Sequence, residues 1–380
     1  MHPFFLQFLQ LLVLNLFLFL TIALGVVFLG LPRTDVAAHA HECGPFMRVP
    51  MVVLAILLLA VSQVAMGMVI PLWLDMVSLF PKQTWKNRPN GLRPELAKYL
   101  EDLKPSFIRY PGGCYVEGLS WESAPDWRKM VCPPEQRPGQ WGYWQYRSTD
   151  GFGYHEFLQF CEDIGADAMY VAFAGMTVHP ENNWPLGEIG PVVQQTLDAI
   201  EYALGPADST WGAVRAKMGH PKPFPLKYVE IGNEHPPDLY GDYYVMFRNA
   251  IKAKYPDITV IMTMFWAGLN QGAINRAGDS NIDIVDEHSY KPSGWIRSNF
   301  DYFDKYRRTP WKVYVGEYAA HDNQRRSTLR AAIAEAVTLF RLGCAPDLWD
   351  DTVNWAKSKG FDLELMEKAG LVLKKEGADH

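Results

Sequence analysis

Two glutamates close short β-branched and aromatic runs. Glu234 ends the string "KYVEIGNE", and Glu317 sits in "VYVGEY". A pair of carboxylates brought to one place can divide the work of glycoside hydrolysis. One attacks the anomeric carbon while the other, held protonated, donates to the departing oxygen and later activates water. In the retaining form of the reaction the two carboxyl groups lie about 5–5.5 Å apart. Residues so placed must come from different elements, because these two are 83 positions apart in the chain.

The elements that would position them read as alternating strand and helix. Tyr228–Ile231 and Lys312–Val315 have the composition of buried parallel strands, and Phe107–Tyr110, Met169–Phe173, Ile258–Met264 and Ile282–Val285 read in the same way. Helical periodicity covers Pro94–Leu103, His155–Ile164, Val192–Leu204, Tyr243–Lys254 and Thr328–Leu342. Repeated βα units imply an α/β fold with a parallel sheet, here a (β/α)8 TIM-type barrel. Eight units in roughly 250 residues average about 30 each, so the gap between the glutamates fits three units, and both would emerge at strand C-terminal ends, where barrels keep their chemistry. Only six strand signals are present, which predicts an incomplete barrel.

With 380 residues, 48% hydrophobic and 21% charged, the chain has room for one barrel and little more; a net charge of −6 gives no reason to expect nucleic acid as a partner. Aromatic content is high, with 13 Trp and 18 Tyr, and Trp121, Trp127, Trp141, Trp144 and Trp184 lie outside the strand runs. Such rings either pack in core and loops or present flat apolar faces to sugars. The five cysteines, Cys43, Cys114, Cys132, Cys161 and Cys344, form no CxxC pair and no dense disulfide framework. The cluster His39, His41, Glu42 and Cys43 lacks a second ligand pair at metal spacing, so neither a metal nor a cofactor is expected.

Residues 1–74 differ from the rest. Phe4–Leu31 and Met51–Leu74 carry no charge and are each long enough to cross a bilayer as a helix. Arg33 and Arg48 between them favour a cytoplasmic loop and an external remainder. A start at Met47 would instead give a basic residue, an apolar core and small residues at Ala65–Gly67, the layout of a secretory signal. Both readings place the following domain, residues 75–345, outside the cytoplasm, membrane-anchored or secreted. Residues 346–380 read as a helical tail foreign to that domain.

Three strings, "LKPSFIRYPGGCYVEG" at 103–118, "STWGAVRAKMGHPKPFPLKYVEIGNE" at 209–234 and "VYVGEYA" at 313–319, resemble the α-L-arabinofuranosidases of glycoside hydrolase family 51, in the plant-like and bacteroidete-like branch. The resemblance runs from about residue 73 to about 340. It implies release of terminal arabinofuranose from arabinose-containing polysaccharides, with Glu234 as general acid/base and Glu317 as nucleophile. It further implies that Asn233 binds the sugar's 2-hydroxyl and that Arg109 orients the nucleophile, unless Arg109 is a structural ion pair. Cys114 becomes a pocket-wall residue. His288 and Tyr290, in "DEHSYKP", match an H-x-Y string after the sixth barrel strand, with the tyrosine on the nucleophile and sugar. Gly112 and Gly113 would turn the backbone close to the sugar. His179 is a weaker candidate, and Glu117 and Glu230 read as structural acids.

Both ends depart from the family pattern. Hydrophobic runs stand where the first strand and its substrate-binding glutamate belong, and no eighth strand follows Leu342. A truncated or mis-joined reading frame would give this pattern. The rival functions are therefore a membrane-tethered carbohydrate-binding pseudoenzyme and an inactive fragment.

Overall fold

The structure is a computed structural model. It describes residues 82–341, apart from 90, 264–270, 300–301, 307–309 and 323–327. The hydrophobic runs, the His39–Cys43 cluster and the tail at 346–380 lie outside the described residues. Among those described, no helix is long and apolar enough to cross a membrane.

Helix α1 (Pro94–Asp102) leads into strand β1 (Phe107–Tyr110) and the short helix α2 (Gly113–Glu117). A two-stranded ribbon of β2 (Gln140–Trp141) and β3 (Arg147–Ser148) follows, and then α3 (Tyr154–Ile164) and β4 (Asp167–Ala172). The chain continues through α4 (Gly190–Leu204), α5 (Thr210–Lys217), β5 (Leu226–Ile231), α6 (Pro237–Lys254), β6 (Thr259–Met262) and α7 (Gln271–Ala277). It ends in β7 (Ile284–Lys291), α8 (Ser293–Ser298), β8 (Lys312–Ala320) and α9 (Leu329–Arg341). One six-stranded sheet runs in the order β1-β4-β5-β6-β7-β8, and every neighbouring pair is parallel. These are six consecutive strands of a (β/α)8 barrel.

Local chemistry explains the elements. β4 to β6 are nearly continuous apolar runs because a parallel sheet covered by helices is buried on both faces. Helix α6 starts with proline in its first turn and buries Tyr240, Tyr243, Tyr244, Phe247 and Ile251, the spacing of one helical face. Helix α3 opens where the Gly153 N–H donates to Glu156 Oε2 at 2.9 Å, and it stops at Gly165, whose φ of 73° suits glycine.

Strands stand at all six predicted places, but two run further than predicted. β7 continues past Val285 through His288 and Tyr290, so these residues belong to the strand rather than to a loop after it. β8 continues past Val315, and Glu317 lies inside it. A register shift between Glu287 and His288 lets the pairing resume with His288 opposite Glu317. Pairing can persist here because the polar side chains that interrupt the apolar pattern satisfy one another across the strands.

Candidate active site

Four strands contribute to one cluster. Arg109 on β1 and Glu230 on β5 point to the same side of the sheet. Arg109 Nε donates to Glu230 Oε2 at 2.6 Å, and Nη2 donates to Glu230 Oε1 at 3.2 Å and to Asn233 Oδ1 at 3.0 Å. The third arm, Nη1, donates to Glu317 Oε1 at 2.9 Å. The guanidinium therefore ties β1, β5 and β8 together through charge-assisted bonds. Space for it comes from Gly112, where φ is 69° and a Cβ would stand 2.9 Å from Arg109 Cζ. Glu230, expected to be structural, is fully buried as the principal partner of this arginine. Burial and the neighbouring Asp286 carboxyl raise its pKa against the pull of Arg109.

β7 supplies Asp286, His288 and Tyr290, alternate residues of one strand face. His288 Nδ1 lies 2.6 Å from Glu234 Oε1, and its Nε2 lies 2.9 Å from Asp286 Oδ2. Burial opposes charge on this ring, but the two carboxylates outweigh it and push its pKa up to about 10, so it is an imidazolium at neutral pH. Asp286 is fully buried and also accepts the Gly316 N–H at 2.7 Å. Tyr290 donates its hydroxyl to Glu317 Oε2 at 2.6 Å. Glu317 is thus held at both oxygens.

Glu234 follows β5 by three residues, after Gly232 at φ 75°, and has a φ of 49° itself. That left-handed conformation is unusual for a residue with a side chain and marks a place where the surroundings over-determine the backbone. Its N–H donates to Thr263 Oγ1 at 3.1 Å. Carboxylate oxygens of Glu234 and Glu317 and a ring nitrogen of His288 all lie within 4.8 Å of one another. Three ligand atoms at such distances could meet a divalent cation. In this arrangement each nitrogen of His288 instead lies within hydrogen-bond distance of a carboxylate.

Every site residue singled out in the sequence except His179 stands in or beside this cluster. Cys114, on α2, is partly buried beside Glu117. Burial and the Glu117 carboxyl push its thiol up to about 12, which keeps it a thiol and disfavours attack through sulfur. Asn233 is buried with its amide fixed between Arg109 and Glu117. His179 is half-exposed, 3.7 Å from Glu181, and takes no part. Sequence reasoning missed Asp286, Gly316 and Thr263. The alternation Asp286, His288, Tyr290 within "DEHSY" could have revealed the first; nothing in the sequence pointed to Thr263.

The tryptophans divide between core and surface. Trp127 is buried in the core, whereas Trp141 and Trp144 are exposed on the β2–β3 ribbon. Trp144 and Tyr146 line an open cleft of about 290 Å³ whose floor includes Gly112 and Gly113. An apolar wall therefore borders the turn that follows β1.

The alpha-L-arabinofuranosidase 1 domain matches residues 99–308, more than half of the chain. The chain belongs to this family. An extracellular exo-alpha-L-arabinofuranosidase of Streptomyces chartreusis is 41% identical over 281 residues, covering 68% of this chain and 34% of that protein. Alpha-L-arabinofuranosidase 1 of Arabidopsis thaliana is 41% identical over 274 residues, covering 71% of this chain and 39% of the relative. The chain thus spans little more than a third of the length of these relatives. Among solved structures, an arabinose-bound MgGH51 α-L-arabinofuranosidase superposes with a TM-score of 0.62 at 33% identity, over 68% of this chain and 43% of that one. The α-L-arabinofuranosidase of Thermotoga maritima shares the fold, with a TM-score of 0.52 at 22% identity over 67% of this chain and 56% of its own. Arg109, Cys114, Asn233, Glu234, His288 and Tyr290 fall inside the matched arabinofuranosidase domain, and Glu317 lies just beyond it.

Proposed function

We propose that this chain is a retaining α-L-arabinofuranosidase that removes terminal arabinofuranosyl residues from arabinose-containing polysaccharides or oligosaccharides. The observation that carries this reading is the approach of the Glu234 and Glu317 carboxylates to within 4.8 Å, with different partners on each. Glu317, fixed by Arg109 and Tyr290, is oriented for attack on the anomeric carbon. Glu234 shares a hydrogen bond with the imidazolium of His288 and is placed to handle a proton.

In the first step Glu317 forms a bond to the anomeric carbon as the bond to the departing oxygen breaks, and the proton shared by Glu234 and His288 passes through Glu234 to that oxygen. In the second, Glu234 takes a proton from water, the water oxygen bonds to the anomeric carbon, and Glu317 leaves as a carboxylate. Asn233 is suited to hold the 2-hydroxyl, and Trp144 with Tyr146 to receive the apolar face of the neighbouring sugar. Binding without turnover is the weaker reading, because both carboxylates keep a full set of orienting partners.

Residues 75–345 are proposed as the catalytic domain. The uncharged runs Phe4–Leu31 and Met51–Leu74 support export from the cytoplasm, either anchored or secreted, in line with the extracellular relative. The test is hydrolysis of 4-nitrophenyl α-L-arabinofuranoside followed by proton NMR. Product appearing first as the α-furanose supports retention; first appearance of the β-anomer would exclude it.

A further inference from the structure

Glu117 is a third buried carboxyl beside the pair, and the steps above give it no task. It closes helix α2 with 5% of its surface exposed. Its Oε2 accepts from Asn233 Nδ2 at 3.4 Å, and its Oε1 lies 3.7 Å from His235 Nδ1. Asn233 and His235 are the two residues that flank Glu234. One carboxyl therefore touches the chain on both sides of the residue whose φ is 49°. The orientation of Asn233 is not free, because its Oδ1 is taken by Arg109 Nη2 at 3.0 Å, which turns Nδ2 toward Glu117.

The other supports of this turn act elsewhere. Thr263 holds the Glu234 N–H, and His288 holds its carboxyl. Glu117 links α2, which follows the glycine turn after β1, to both neighbours of Glu234. A buried acid that merely fills space would be costly, because among the described residues no lysine or arginine pairs with it.

We propose that Glu117 is a positioning residue for the acid/base, fixing the Asn233–Glu234–His235 turn so that the Glu234 carboxyl points at the departing oxygen. The inference rests on the reading of Glu234 as that acid/base. The electrostatics agree with a holding role. Burial pushes Glu117 up to about 7, against the bonds from Cys114 and Asn233, and burial drives His235 down to about 3, so the histidine is a neutral partner rather than a counter-ion.

A misplaced acid matters in proportion to how much the leaving group needs a proton. The experiment compares the full chain with its Glu117→Ala and Glu117→Gln variants on two substrates. 4-Nitrophenyl α-L-arabinofuranoside has a leaving group that departs with little help, and methyl α-L-arabinofuranoside needs full protonation. Positioning predicts that Glu117→Ala lowers kcat/KM on the methyl glycoside by roughly 100-fold, the scale of a displacement of about 1 Å, and on the nitrophenyl glycoside by less than about 10-fold. Glu117→Gln, which keeps an acceptor for Asn233, should recover most of the loss. Should Glu117→Ala fail to fold in a circular-dichroism melt, Glu117→Asp withdraws the carboxyl by one methylene and must show the same split. Equal losses on both substrates, or none, would overturn the positioning role in an active enzyme. A wild-type chain inactive on both substrates would overturn the functional reading and this inference together.

Discussion

Glu234 and Glu317 are the same chemical group made different by their neighbours. Glu317 is fixed at both oxygens by the guanidinium of Arg109 and the hydroxyl of Tyr290, while Glu234 is engaged by a charged histidine. Glu317→Ala should therefore abolish turnover of every arabinofuranoside. Glu234→Ala should spare the first step on substrates with very good leaving groups and regain turnover with added azide. Equal losses that azide does not rescue would reverse this view of the pair. His288 allows a separate test by pH. Its folded pKa, near 10, stands above the ordinary value near 6.5, so the folded state keeps a proton that the unfolded chain releases. That stabilisation is complete below about 6.5 and is lost as pH rises through 10. Thermal melts of the wild type should fall across pH 7–10 more steeply than those of His288→Gln; parallel curves would show that the ring is not held charged. Glu117, raised to about 7, and Glu230, raised to about 8, add losses of the same sign that both proteins share, so the difference between the two curves belongs to His288.

At the scale of elements, the six strands and five principal helices were legible because apolar runs and helical periodicity report burial directly. The ends of β7 and β8 were not. "DEHSYK" and "GEYAA" break the apolar pattern, and only the cross-strand contacts of Asp286 with Gly316 and of Tyr290 with Glu317 show why pairing continues. The left-handed turn at Glu234 was equally hidden, since a lone "GNE" string gives no backbone angle. The partner of Glu230 was not legible because strand alternation gives a facing direction but not a partner, and Arg109 lies on a strand 121 positions away. Gly316 tests the β7–β8 contact. A Cβ there would lie 2.8 Å from Asp286 Cγ. Gly316→Ala should therefore displace Asp286, loosen His288, cost about 1–3 kcal/mol in denaturant unfolding and lower kcat. An unchanged unfolding midpoint with normal kcat would show that β7 and β8 can part without harm.

At the scale of the whole molecule, the sheet is an arc rather than a closed barrel among the described residues, with β1 and β8 as its outer strands. The arc nonetheless curves enough for side chains of those two strands to meet. The rings of Phe107 and Tyr314 pack with centroids 5.4 Å apart, and Arg109 reaches Glu317 above them. The site is thus assembled by side chains between two strands that, among the described residues, share no ladder of hydrogen bonds. A site bridged in this way should be less rigid than one on a sheet whose outer strands hydrogen-bond to each other. Turnover of 4-nitrophenyl α-L-arabinofuranoside by residues 73–380 is accordingly expected below that of a relative measured alongside it; equal rates would mean that a site bridged by side chains is as rigid as one on a closed sheet. The most direct test of the central claim, that Glu317 is the nucleophile of a retaining pair, is covalent trapping. Incubation of the full chain with 2-deoxy-2-fluoro-α-L-arabinofuranosyl fluoride, proteolysis and mass spectrometry should place the fluorosugar on Glu317, and none of it should remain bound in the Glu317→Ala variant. Label on Glu234, or turnover of arabinofuranosides with no trapped carboxylate, would contradict the account.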